Sequence, residues 1–448
     1  MIHVLIRYLG IKTKLLEAIR LKVDEVSNEG DIILDMFGGS NIVGQSLKDR
    51  YIVYSNDYQK YSYIVGKTLI EYIPNEVKNN ISIDKIIDSS YYNLNKNELE
   101  KIFEMPVNYE RRLLEIIEDN VKGNIFEEFK EIYNTSPYYT NTDNKHRIFD
   151  SCIDYFSKKN ITMYKENNKK FPYLLFSTYY NNPYFSLNQC IDIDSIKYSI
   201  DKMIEKKEIS KIEYNIYLSC LIYVLHNIVI SVGDHFAQPQ KIQPFEIDNE
   251  KRNKIITRER KKILAKKKLS VIQLFEEKLN DYRLNSQISK LQNKAFNNDY
   301  KDLFKGKNLE YIKNVDTIYI DPPYTNAHYS RFYHIPETLV LYDYPDIKFN
   351  GRYREDRYQS PFCLKTEAYK EFNYMLKMCK EINSNTIISY SDTSQCILDI
   401  NEILEICRKY YGENVDCDTV DHMYRNFGQK PNKVLAKEYL ITCRREVK

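Results

Sequence analysis

The 448 residues include nine cysteines, but none forms a CxxC pair and none has a histidine at zinc-binding spacing. That pattern excludes a disulfide scaffold and a zinc ribbon, and predicts a cytoplasmic chain with reduced thiols and no metal. Long hydrophobic runs are lacking too. The longest, Ile216–Val232, is interrupted by Ser219, His226, Asn227 and Ser231, so it predicts a buried helix and no membrane span. Met1–Leu9 carries one arginine and too short an apolar run for a secretory signal. Neither sign of charge dominates, since the net charge is only +3. The apolar and charged fractions, 43% and 29%, fit a soluble globular protein of two or three domains.

The small net charge is spread unevenly. Lys251–Lys268 holds ten Lys and Arg residues against one acid, Glu259. Ile255, Ile256, Ile263 and Leu264 recur there at helical spacing, which predicts a basic helix with a narrow apolar stripe. A solvated face is the usual fate of such a run. The alternative expectation is phosphate contact from Lys261, Lys262, Lys266 and Lys267, which a base-binding site elsewhere in the chain would favour.

Short apolar strands are predicted at Asp31–Met36, Tyr51–Tyr54, Thr317–Ile320 and Thr386–Tyr390, with a final pair near Val415–Val420 and Glu438–Thr442. Helical spacing covers Lys12–Val26, Glu98–Ile117 and Lys197–Lys207, with polar loops at Asn134–Lys145 and Lys165–Lys170. The pattern predicts an α/β, Rossmann-like, mostly parallel sheet with helices on both faces. Residues 75–296 stand outside it as a large, mainly helical insertion. The expected division is a discontinuous domain of 1–74 and 297–448 with an inserted domain of 75–296.

The most informative stretch is Asp321-Pro322-Pro323-Tyr324, at the end of the apolar run Thr317–Ile320. Two prolines fix φ and lack an N–H, so the turn is a rigid ledge. The Asp321 carboxylate and the Pro322 carbonyl then form two acceptors beside the Tyr324 ring. That arrangement suits a flat group with an exocyclic amine: adenine, cytosine or guanine. A strand end followed by a Pro-Pro turn is the bland alternative. Earlier in the chain, Phe37, Gly38 and Gly39 follow a strand and let the backbone approach a ligand. Asn41 tolerates the positive φ such a turn requires. Asp57 ends the next strand, where an acid can accept both ribose hydroxyls or cap a helix.

With these residues in view, the chain resembles the Dam-type family of S-adenosylmethionine-dependent DNA adenine methyltransferases, whose catalytic motif reads Asp-Pro-Pro-Tyr. Arg7–Leu15 resembles the family's opening segment, Ile33–Gly44 its cofactor loop, and Asn298-Asp299-Tyr300 its adenine-reading acidic motif. Asn41 departs from the usual glycine. The resemblance covers roughly 1–70 and 297–448. It implies S-adenosyl-L-methionine as cofactor, held by Tyr8, Lys12, Asp35, Phe37, Gly38, Gly39, Ser40, Asp57, Asp299 and Tyr300, with Asp35 facing the cofactor's amino group. It implies catalysis by Asp321, Pro322, Pro323 and Tyr324 on an adenine flipped from double-stranded DNA, with 75–296 as the target-recognition domain.

Tyr329–Thr338 resembles a Tyr-Ser-x-Phe-Tyr-His run of the same family, which places Arg331 near DNA. Gly233–Pro239, and Tyr184-Phe185-Ser186 with Gln189, resemble segments of related enzymes. A separate restriction endonuclease is an expected partner, because no nuclease domain is apparent. Methylation of cytosine's amine and a silent DNA-binding relative are the alternative readings. Aspartate at 321 favours adenine over cytosine.

Overall fold

A computed structural model describes residues 15–117, 120–134, 166, 170–284, 289–349, 351–392, 396–425 and 433–446. Two compact units make up the chain. One comprises Met1–Pro74, Gln287–Phe332 and Tyr358–Lys448, the other Asn75–Ser286 and Tyr333–Arg357. The expected 297 boundary thus falls just after a short strand of the first unit, and Tyr333–Arg357 groups with the insertion.

The first unit is built on seven strands: β1 (Ile32–Asp35), β2 (Ile52–Asn56), β3 (Lys294–Phe296), β4 (Thr317–Ile320), β5 (Asn385–Asp392), β6 (Val415–Arg425) and β7 (Lys433–Cys443). Their order is β3-β2-β1-β4-β5-β7-β6. The first five are parallel, and β7 pairs antiparallel with both β5 and β6. The sheet is therefore mostly parallel, as the sequence pattern predicts. Only three residues long, β3 lacks an apolar run and was not legible.

Alternate residues explain why these strands read as unbroken apolar runs. Leu34, Ile318, Ile388 and Ile441 join one core with Phe372, Leu376, Ile403 and Ile406 of the helices Ala368–Glu381 and Ile400–Tyr411. Their neighbours Ile33, Tyr319, Ile387 and Leu440 join the opposite core with Leu16, Ile19 and Val23 of helix Leu16–Val26. Both faces are covered, so no position along a strand needs a polar residue. Each fully buried aliphatic side chain contributes about 1.5–3 kcal/mol.

The second unit is mainly helical. The predicted helix Glu98–Ile117 is two, Ser90–Ile102 and Glu104–Ile117, divided at Phe103 with Pro106 in the first turn of the second. The apolar stretch at 216–232 lies largely within helix Lys211–Ile228, whose faces are nearly all buried. Among the described residues no helix is long and apolar enough to cross a membrane. The two segments that resemble relatives' loops act here as internal joints. Ser186 and Gln189 form a capping box on helix Leu187–Glu205, and the Tyr184 hydroxyl lies 2.8 and 3.0 Å from the carbonyls of Phe236 and Gly351, its possible acceptors.

The basic run forms helix Glu250–Lys268, and here the structure corrects part of the expectation. Lys267 is buried, ion-paired to Glu110 at 3.2 Å and set 5.0 Å from the Tyr133 ring centre. Lys266 donates to the Val229 carbonyl at 2.6 Å. Arg260 is buried as well, held by the Val121 carbonyl at 2.9 Å and Glu127 at 2.7 Å. These cations fasten the helix to its neighbours, because their positions fall on the same face as Ile256, Ile263 and Leu264. Lys266 and Lys267 are therefore poor candidates for phosphate contact. Lys251, Lys254, Arg258, Lys261, Lys262 and Lys268 remain exposed, on the opposite face at i, i+3 and i+4 spacings.

Removing one partner of a buried ion pair leaves the other charge uncompensated. Lys267→Ala is therefore expected to destabilise the protein by about 3–5 kcal/mol. Lys261→Ala should stay within about 0.5 kcal/mol of wild type. Denaturant unfolding of both variants checks the contrast.

Candidate active site

At the carboxyl edge of the parallel strands, the order of the sheet reverses between β1 and β4. Such a reversal leaves a crevice that takes ligands in open α/β sheets. Asp35 ends β1 and Asp321 follows β4, so two carboxylates flank this crevice. A cavity there is lined by Asp35, Phe37–Ser40, Asn56–Gln59, Asn298, Tyr300, Asp321, Pro323, Tyr324, His328–Ser330, Tyr358 and Ser360, among others, all of the first unit. Three of these are acids, and no lysine or arginine is among the described lining residues.

The loop after β1 is held by a network only partly legible in sequence. Asn41 adopts φ 59°, ψ 21°, as its tolerance of positive φ predicts. Its buried side chain donates to the Ser62 carbonyl at 3.0 Å and accepts from the Ser55 hydroxyl at 2.6 Å. A Cβ at Gly38 would lie 2.4 Å from the Ser55 Oγ, so a side chain there would have to push Ser55 off its bond to Asn41. Gly39 has φ +51° and donates its N–H to Asp57 Oδ2 at 2.8 Å. The other Asp57 oxygen accepts from the Gln59 N–H at 2.8 Å. Asp57 thus fastens the glycine loop to the end of β2, a role added to the expected one. Burial raises its carboxyl above the ordinary range, opposed by the N–H groups of Gln59 and Gly39 and by the Ser62 hydroxyl.

Asn56 was missed by the sequence reading. Its buried amide donates to the Met36 and Asn298 carbonyls at 3.3 and 3.1 Å and accepts from the Asn298 N–H at 3.1 Å, joining the ends of β1 and β3. Asn298 and Tyr300 line the cavity, and the Tyr300 hydroxyl donates to Glu371. Tyr300 also packs with Phe37, ring centres 5.9 Å apart. The Asp299 carboxylate instead caps Lys301 N at 2.9 Å and accepts from the Tyr358 hydroxyl at 3.1 Å.

Asp35 is the most unusual group of the cavity. It is buried, and its Oδ1 has no hydrogen-bond partner among the described residues. Burial, then the charges of Asp321 and Asp57, push its carboxyl up to about 8, while the N–H groups of Gly44 and Phe37 oppose the shift. A buried acceptor without a donor is costly unless a ligand supplies one. Tyr324 is also buried, 5.3 Å from the Tyr390 ring centre, and it lines the cavity with Asp321 and Pro323.

Tyr8 and Lys12 lie outside the described residues. Arg331 is exposed in the short helix Tyr329–Phe332, 5.9 Å from the Phe332 ring centre. His334 begins the next helix in the other unit. It is buried against the Phe236 carbonyl at 2.9 Å, and burial lowers its imidazole to about 3, so it stays neutral. The aromatic run after the ledge is therefore divided between cavity lining and packing.

Residues 8–174 match the family model of the D12 class N6 adenine-specific DNA methyltransferases. Over those residues the chain is similar to that class. The match includes the glycine loop and Asp57 and ends before Asp321. Alignments to whole proteins reach further. The chain is 24% identical over 405 residues to the modification methylase LlaI of Lactococcus lactis, covering 90% of this chain and 49% of that protein. It is 25% identical over 448 residues to the type II methyltransferase M.FokI of Planomicrobium okeanokoites, covering 98% and 53%. To the modification methylase StsI of Streptococcus sanguinis the identity is 23% over 426 residues, covering 95% and 49%. The chain thus spans about half the length of the curated relatives it matches.

The Asp35 environment has a consequence for stability. The unfolded chain ionises Asp35 near the ordinary 3.8, whereas the fold holds the proton to about 8. Below pH 4 the group is neutral in both states. Between pH 4 and 8 the unfolded chain alone releases the proton, so this stability contribution is lost as pH rises. In ligand-free protein, Asp35→Asn should have little effect near pH 4 and stabilise by a few kcal/mol at pH 8, at about 1.4 kcal/mol per unit. Unfolding measured at both pH values checks the sign.

Proposed function

We propose that the chain is a site-specific DNA methyltransferase that methylates the N6 amine of adenine, with S-adenosylmethionine as donor. It would serve as the modification half of a restriction system or as a solitary marking enzyme. The observation that carries this reading is the acid pair at the β1/β4 reversal: Asp35 with an orphaned buried oxygen, Asp321 on the proline ledge, and the glycine loop beside them. Three acids, with no lysine or arginine among the described lining residues, suit a donor bearing an ammonium and a sulfonium. Asp35 Oδ1 would receive the ammonium, and Asp57 would take the ribose hydroxyls on its remaining lone pairs. Phe37, Gly38, Gly39 and Ser40 would let the backbone pass close to the donor.

When bound, the donor supplies an electrophilic methyl group. The chain's own contribution lies in handling the amine. An adenine amino nitrogen delocalises its lone pair into the ring and is a poor nucleophile. Asp321 and the Pro322 carbonyl accept hydrogen bonds from its two protons, which favours a pyramidal nitrogen with its lone pair turned outward. Pro323 keeps the two acceptors rigid. Asp321 acts mainly as an oriented acceptor, since a carboxylate is a weak base for the neutral amine; once methylated, the cationic nitrogen is strongly acidic and loses its surplus proton along the Asp321 hydrogen bond. Alignment of amine and methyl supplies much of the remaining acceleration. Because the amine cannot be approached in line within a duplex, the base must be rotated out, with Tyr324 beside it.

The second unit takes the target-recognition role, since the glycine loop, the ledge and the cavity belong to the first. Phosphate contacts are assigned to the exposed face of helix Glu250–Lys268, with Arg331 as a further backbone contact. Such contacts position a protein without specifying sequence.

Two experiments address these roles. Asp321→Ala is expected to lower methyl transfer by about a hundredfold or more, with a far smaller loss of donor affinity because Asp35 and Asp57 remain. Radiolabel transfer and calorimetry, run on the same variant, separate the two effects. Neutralising Lys251, Lys254, Arg258 and Lys261 together should weaken binding to every duplex. It should also flatten the log–log salt dependence by about 0.9 for each phosphate no longer neutralised, with the preferred site unchanged. An unaltered slope would assign phosphate binding elsewhere.

A further inference from the structure

One pair of rings in the cavity has no part in methyl transfer itself. The Tyr58 and Tyr358 rings lie face to face, with centres 3.8 Å apart and planes 24° apart, and both line the cavity. They are held unequally. The Tyr358 hydroxyl donates to Asp299 Oδ2 at 3.1 Å, and its carbonyl accepts from the Ser330 hydroxyl at 2.5 Å. Asp299 is itself fixed as the cap on Lys301 N at 2.9 Å. Tyr58 is 48% exposed. Its backbone is tied through the carbonyl, which accepts from Asn297 Nδ2 at 2.7 Å. A loosely held ring therefore rests on a fixed one.

The chemistry of that end of the cavity suits a flat heteroaromatic group. Asn298 and Gln59 line the same cavity as the two rings, and base–aromatic stacking is tolerant of ring identity. A half-exposed Tyr–Tyr contact gains less than a purine stacked on the same ring, because Tyr58 keeps much of its surface in water either way. We infer that Tyr358 is the fixed platform for the purine of the methyl donor, and that Tyr58 is a cover ring occupying that face until the purine displaces it. Asp299 is then a positioning residue, acting on the purine through the Tyr358 hydroxyl. This inference rests on the donor reading proposed above.

Calorimetry with S-adenosylmethionine and with adenosine tests it on the full chain. Tyr358→Ala should weaken both ligands by roughly 5- to 100-fold. Tyr358→Phe, which keeps the ring and loses the Asp299 bond, should weaken both about threefold to tenfold. Tyr58→Ala should bind at least as tightly as wild type and associate faster. Circular dichroism and unchanged melting of the ligand-free variants establish that each is folded. Equal weakening by both alanine variants, or by neither, would overturn the platform-and-cover assignment and leave the donor reading intact. Failure of the folded wild-type chain to bind either ligand would overturn both.

Discussion

Two carboxylates end neighbouring parallel strands, and the rest of the site is arranged around the cost of keeping them there. Asp35 lies in the interior, close to the charges of Asp321 and Asp57, with one oxygen unsatisfied among the described residues. Three acids converging on one cavity repel one another and disfavour ionisation of the most buried. A fold selected only for stability would place an amide or an apolar residue at position 35. Under the proposed function the retained acid serves a cation-binding crevice, and the strain at this strand end is tolerated for that role.

The surrounding scaffold absorbs that strain. Backbone N–H groups of Gly44 and Phe37 bond to Asp35, and those of Gly39 and Gln59 bond to Asp57. Asn41 adopts a left-handed conformation and commits its amide to Ser62 and Ser55, so the glycine loop has one well-defined course. Both faces of the sheet are sealed by helices, which keeps the strand ends rigid. The same logic governs the second unit, where buried Arg260 and Lys267 are paired with Glu127 and Glu110. Cations that read as a surface patch in sequence serve as internal ties.

Sequence periodicity was sufficient for the strands because parallel strands covered on both faces are continuous apolar runs. Asp321, Pro323 and Tyr324 were marked in sequence by the motif itself, and they line the cavity. Periodicity failed at β3, three residues long and half-buried, whose place is set by pairing with β2. It failed again at Asn56, Ser55 and Ser62, ordinary polar residues whose importance appears only when β1, β2 and β3 lie side by side. The basic helix was legible as a helix. Which of its cations face inward depended on Glu110 and Glu127, more than a hundred residues away. The Tyr58–Tyr358 stack joins positions 300 residues apart, and no local signal marks it.

Under the proposed function the acid pair and proline ledge direct a methyl group to adenine N6 in DNA. Nucleoside mass spectrometry tests it most directly, on DNA incubated with the purified chain and isotopically labelled S-adenosylmethionine. Label confined to N6-methyladenine is the expected result, and sequencing of the modified bases should place it at one recurring sequence. Label in N4-methylcytosine, or no label with folded protein and bound donor, would contradict the claim.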